Sequence, residues 1–177
     1  MANTYVKIAT VTVGSGGSAA MSFSSIPSTY TDLVVKLSTR VDQAVVDSYF
    51  NMRLNADSGA NYSTRSVYIG ASSSAANSDS WSAQTNAYIY QGNGANATAS
   101  TFANIEVYLP NYASSNAKSF SNDGAPETNS ATWTSRGASL VAGLWSGTAA
   151  INAISFTPAS GNFVQYSTAT LYGISKS

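Results

Sequence analysis

The chain has 177 residues, only 9% of them charged, and its eight basic and eight acidic side chains cancel. A phosphate-tracking nucleic-acid binder needs a basic surface, so that class is excluded. Cysteine and histidine are both absent, which removes disulfides, thiolate nucleophiles, zinc-finger ligands and imidazole bases together.

A chain of this length is one ordinary domain, able to bury roughly 70% of its unfolded surface without a disulfide or a metal. A single domain over 1–177 is therefore expected. The opening segment MANTYVKIATVTV has no basic region followed by an apolar core, so it is not read as a secretion signal. No apolar run approaches the roughly 20 residues of a membrane span. A soluble protein made in a cytosol, without membrane insertion, is expected.

The first predicted strand covers 3–13. Val6 and Ile8 oppose Ala9, Val11 and Val13, a pattern that suits a strand covered on both faces. GSGG at 14–17 is followed by no helix and no G-K-[ST], so it is a hairpin loop or a flexible joint and not a phosphate loop. If it is a joint, residues 1–13 form an N-terminal arm that attaches the domain to a neighbour. A strand over 18–24 follows. In TDLVVKLSTR, Leu33, Val35 and Leu37 oppose Lys36, Ser38 and Arg40, and in YFNMRLN, Phe50, Met52 and Leu54 oppose Tyr49, Asn51 and Arg53. Period two of this kind marks half-buried strands. A short helix is predicted between them, over Asp42 to Tyr49.

Further strands are predicted at 65–70, 84–90, 102–109, 117–121, 131–145, 150–157 and 167–175. In TFANIEVYLP, Ala103, Ile105, Val107 and Leu109 share one face. Turn-rich segments separate the strands, at 71–80 (ASSSAANSDS), 92–97, 111–116 and 158–162. Good helix formers are scarce; glutamate occurs only at 106 and 127. Many short, evenly spaced strands predict an all-β fold, an antiparallel two-sheet sandwich of jelly-roll type.

The first stretch with chemical potential is LNADSGANYSTR at 54–65. It offers Asp57, Asn55, Ser58 and Asn61 around Gly59. A calcium loop converges several carboxylates, and here there is one. These residue types are also what turns use, so the plain reading is a turn between strands, with Asp57 and Asn61 as candidate glycan or partner contacts. The sequons Asn61-Tyr62-Ser63 and Asn96-Ala97-Thr98 are read as chance matches, given no secretion signal.

Enzyme chemistry finds no support in the residues. A serine nucleophile needs a base; only Lys7, Lys36, Lys118 and Lys176 are available, and the S-x-x-K match at Ser115-Asn116-Ala117-Lys118 comes without the S-D-N and K-T-G partners of the β-lactamase type. A glycosidase needs two carboxylates across a cleft, and Glu106 and Glu127 have no reason to meet. No catalytic residue, metal or cofactor is expected. The aromatic residues say more. Trp81 precedes the strand carrying Tyr88 and Tyr90. Aromatic faces beside amides build sugar sites and protein interfaces alike, so these three are candidate glycan or partner contacts, with core packing as the plainer alternative. Trp133 and Trp145 are expected in the core.

Five stretches carry a family likeness: IPSTYTDLVVKLSTR (26–40), FNMRLNADSGANYSTR (50–65), FANIEVYLPNY (102–112), GLWSGTAAINAISFTPASGNF (143–163) and STATLYGI (167–174). Together they resemble small virion structural proteins of tailed bacteriophages, notably those of marine cyanobacterial hosts. The resemblance implies an all-β domain on the phage particle, assembled in the host cytoplasm. A single compact domain without a stalk or tail-docking domain, carrying an N-terminal arm, favours a capsid decoration, cement or head-fibre protein that binds the coat-protein lattice. The alternative is a tail-fibre or receptor-binding tip that recognises host surface glycan. Low charge leaves sheet edges poorly guarded, and 11% aromatic content is high for a wet surface. A homo-oligomer, most simply a trimer, is expected to cover them, with coat or other virion proteins as further partners.

Overall fold

The computed structural model describes residues 4–69, 76–128 and 137–175. They form twelve strands: β1 Tyr5–Thr12, β2 Met21–Phe23, β3 Asp32–Thr39, β4 Asp47–Leu54, β5 Tyr62–Ile69, β6 Ala76–Gln84, β7 Ala87–Asn93, β8 Ala103–Leu109, β9 Lys118–Ala125, β10 Ser139–Trp145, β11 Ile154–Pro158 and β12 Thr168–Ile174. No helix occurs among the described residues.

The strands make an eight-stranded sheet, ordered β1-β12-β3-β8-β9-β10-β5-β6, and a four-stranded sheet, ordered β2-β11-β4-β7. Every strand pairing is antiparallel. The pairing is nested along the chain. β5 pairs with β6, β4 with β7, β3 with β8, β2 with β11 and β1 with β12. That is one long hairpin rolled up so that successive pairs alternate between the sheets, which is the jelly-roll plan. The β9–β10 hairpin is an insertion that widens the large sheet between β8 and β5.

Alternation along the strands builds the core. Leu33, Val35 and Leu37 of β3 and Ile105, Val107 and Leu109 of β8 face Phe50, Met52 and Leu54 of β4 and Ile154 and Phe156 of β11, all buried in one cluster. Each such side chain contributes about 1.5–3 kcal/mol. The opposite face of the large sheet carries polar pairs: Lys36 of β3 pairs with Glu106 of β8 at 2.8 Å, and Thr10 of β1 bonds Thr170 of β12 at 3.1 Å.

Three local expectations are corrected. β1 is an edge strand of its own chain's large sheet, paired with β12, and not an arm that leaves the domain. Its two apolar faces arise from a bulge. Ile8 is the extra residue between Lys7 and Ala9, where the register slips by one; the slip switches the alternation, so Val6 before it and Ala9 and Val11 after it turn the same way. The predicted helix over Asp42–Tyr49 is absent. Asp42 accepts from the Asn162 backbone N–H at 2.7 Å, the Gln43 carbonyl accepts from Ala95, and β-branched Val45 and Val46 lead straight into β4. The polar 71–80 segment was expected as a turn, yet its described part, from Ala76, belongs to β6. β6 is an edge strand exposed on both faces over most of its length, so it has no alternation to read. Trp133, Lys176 and the start of the strand expected at 131–145 lie outside the described residues.

Candidate functional site

Two bulges at neighbouring sheet edges build an aromatic cluster. β6 carries an extra residue relative to β5 between Trp81 and Gln84. There Ala83 takes the left-handed conformation (φ 53°), sparsely populated by residues with a Cβ. The chain then turns through Thr85 and Asn86 into β7 and thereby passes from the large sheet to the small one. Asn86 Nδ2 donates to Asn51 Oδ1 at 2.8 Å, and Arg53 Nε donates to the Thr85 carbonyl at 3.2 Å, fixing the corner. The second bulge, at Gln91 (φ 84°), shifts β7 against β4, so that Tyr90 pairs with Tyr49.

As a result Trp81, Tyr88, Tyr90 and Tyr49 meet on the outer side of the small sheet. Tyr88 lies 5.5 Å from Tyr49 at 78° and 5.6 Å from Trp81 at 61°, centroid to centroid. Tyr90 lies 6.2 Å from Tyr49 and 6.3 Å from Tyr88. The four rings, with Asp47 and Ser48, line a groove of about 170 Å³. Trp81 and Tyr49 stay 44% and 41% exposed. Side-chain hydrogen bonds hold the rings: Trp81 Nε1 donates to Tyr90 Oη at 3.1 Å, and Tyr88 Oη donates to Gln84 Oε1 at 3.1 Å.

Of the five candidate residues, Trp81, Tyr88 and Tyr90 are brought together, whereas Asp57 and Asn61 lie elsewhere and line no part of this groove. Their segment is the turn between β4 and β5. Asn55 and Ala56 take consecutive positive φ values (53° and 56°) and Asp57 N–H donates back to Leu54 C=O at 3.0 Å, a tight turn that ends β4 before the chain crosses to β5 in the other sheet. Asp57 accepts from Trp145 Nε1 at 2.6 Å, Gly59 N–H at 2.8 Å and Asn61 Nδ2 at 2.9 Å. The indole N–H above all, then the other two donors, hold its carboxyl below the usual carboxylate range. Trp145 is buried as expected and stacks on Tyr62. Burial raises the Tyr62 phenol, whose oxygen accepts from Leu54 N–H at 3.0 Å.

A second feature was not expected. On β5 and β10 the outward residues Val67, Ile69 and Leu140 are 54%, 51% and 68% exposed. Val67 and Leu140 are direct cross-strand partners. They share two adjoining troughs of about 590 and 420 Å³, bordered by Arg65, Ser121, Asp123 and Ala138. The inward face of the same region mixes buried apolar residues, Val141 and Phe120 among them, with polar ones. Thr64 and Ser66 of β5, Asn122 of β9, Ser139 of β10 and Gln91 of β7 are buried. Their side-chain amides and hydroxyls have no hydrogen-bond partner among the described residues.

The signal for Tyr49 lay in the β4 alternation, but its meeting with Tyr88 and Tyr90 depends on the bulge at Gln91, which no local pattern announced. Against family models, curated proteins and solved structures the chain shows no match.

Proposed function

We propose that this protein is a non-enzymatic virion structural protein of a tailed bacteriophage, a capsid decoration, cement or head-fibre protein that assembles with copies of itself and with coat protein. The observation that carries the reading is the exposed apolar strip of Val67, Ile69 and Leu140. Contiguous apolar surface of this kind on a low-charge protein marks an interface. The family likeness spread over residues 26–174 points the interface toward a phage particle. A second reading, a tail-fibre or receptor-binding tip, is favoured by the aromatic groove around Trp81.

Leu140→Lys tests the first reading. The side chain is exposed, so folding should change by no more than about 0.5 kcal/mol. Particles assembled with this variant should lose the protein, as read by quantitative mass spectrometry of purified virions, while a substitution at Lys7, far from the strip, leaves it in place. Full retention of the Leu140→Lys protein would contradict the reading. Copy number separates the two locations: lattice-wide occupancy for a decoration protein, a few copies at the tail for a tip.

A further inference from the structure

We propose that the groove formed by Tyr49, Trp81, Tyr88 and Tyr90 is an aromatic cage for a quaternary ammonium group, with Asp47 supplying the countercharge.

The shape comes first. A sugar platform is one flat ring face with hydrogen-bonding groups around its rim. Here the two exposed rings, Tyr49 and Trp81, both stand steeply inclined to Tyr88, which touches each of them. The result is a recess walled by π faces. Its volume of about 170 Å³ is well below the ~300–1,000 Å³ of sites for drug-sized ligands, and it suits a single compact head group.

Chemistry points the same way. A sugar needs donors as well as acceptors from its site. Three donors of this groove are spent inside the protein: Trp81 Nε1 on Tyr90 Oη, Tyr88 Oη on Gln84 Oε1, and Ser48 Oγ on Gln43 Oε1 at 3.0 Å. What the groove presents to a ligand is chiefly ring faces. Asp47 is the one charged side chain that lines the groove, and no Lys or Arg does. Ring faces attract cations through their quadrupole, most strongly for Trp. A quaternary ammonium asks for no hydrogen bond, so spent donors cost it nothing. A primary ammonium, with three donors to satisfy, fits less well.

The ligand class is therefore a trimethylammonium group, whether on free choline or on a phosphocholine substituent of a larger molecule. This inference holds for either location on the particle, so its failure leaves the assembly reading intact.

Isothermal titration of the full chain with choline chloride tests it. The expected Kd is on the order of 1 mM, as for a few cation–π contacts in a half-open site. The neutral isostere 3,3-dimethylbutan-1-ol should bind at least about tenfold more weakly, which isolates the charge. Asp47→Asn should weaken choline binding and leave the isostere unchanged. Tyr49→Ala, at an exposed position that should not disturb folding, should weaken choline about tenfold, and Trp81→Ala should abolish it in protein whose melting curve is intact. Phosphocholine binding as tightly as choline would favour a decorated polymer as source, and tighter binding of choline would favour the free cation; both keep the cage. Equal affinity for the isostere, binding of methyl glucoside in place of choline, or no heat with choline at about a hundredfold over the expected Kd would overturn it.

Discussion

The two halves of the large sheet obey opposite rules. In the half made of β1, β12, β3 and β8, the face toward the small sheet is Leu, Val and Ile, and the face toward solvent carries the Lys36–Glu106 pair and the Thr10–Thr170 bond. In the half made of β9, β10, β5 and β6, buried Thr64, Ser66, Asn122 and Ser139 face inward and exposed Val67, Ile69 and Leu140 face outward. The first half leaves only the Thr39 hydroxyl buried without a partner among the described residues. The second leaves several inward polar groups so, and apolar groups in water, and both are unfavourable in an isolated chain. The difference teaches where the fold ends and the assembly begins. The inserted β9–β10 hairpin widens the large sheet, and β7 at the rim of the small sheet packs across β8, β9, β10 and β5.

If that division is right, substitutions in the two halves should behave differently. Phe156→Ala, on β11 of the small sheet in the core that the apolar half closes, and fully buried, is expected to destabilise by about 3–5 kcal/mol, a large fall in the denaturant midpoint. Asp57→Asn should cost about 1–3 kcal/mol, because the indole N–H of buried Trp145 loses a charged acceptor. The pH dependence sharpens this. A carboxyl whose folded pKa is depressed adds stability that is fully present above its unfolded value and is lost as pH falls through the folded one. Acid titration of the wild type should therefore lose stability below about pH 4, and Asp57→Asn should flatten that part of the curve. An unchanged acid limb would assign the loss to other groups. The smallest effect is expected in the polar half. Asn122→Leu removes buried amide atoms that have no partner among the described residues, and replacing such a group with an apolar one of similar shape is near neutral or stabilising. A loss like that of Phe156→Ala would mean that the amide is satisfied and that the halves are alike.

What was legible in the sequence follows the same line. β3, β4 and β8 could be read directly because one face is buried and the other wet, and that contrast is the alternation itself. β6 could not, because both of its faces are mostly exposed and no contrast exists. β1 was read as doubly covered because a bulge beside Lys7 reverses parity within eight residues. Asp42 to Tyr49 looked helical because the contacts that hold it open come from Ala95 and Asn162, far along the chain. At the site, Trp81, Tyr88 and Tyr90 could be grouped because they flank one tight turn. Tyr49 joins them only through strand register, and Asp57 with Asn61 belonged to turn chemistry from the start. The outward strip was hidden for another reason. Val67, Ile69 and Leu140 look like core residues in any local window, and only the wide sheet turns them outward.

The central claim is that the β9–β10–β5 surface is a contact surface between chains. Multi-angle light scattering of the purified wild type and of Leu140→Lys, at micromolar concentration, addresses it most directly. The wild type should elute with the mass of an oligomer, a trimer in the simplest case, and Leu140→Lys should elute as a folded monomer with an unchanged melting temperature. A wild-type monomer, or an oligomer that Leu140→Lys leaves intact, would contradict it.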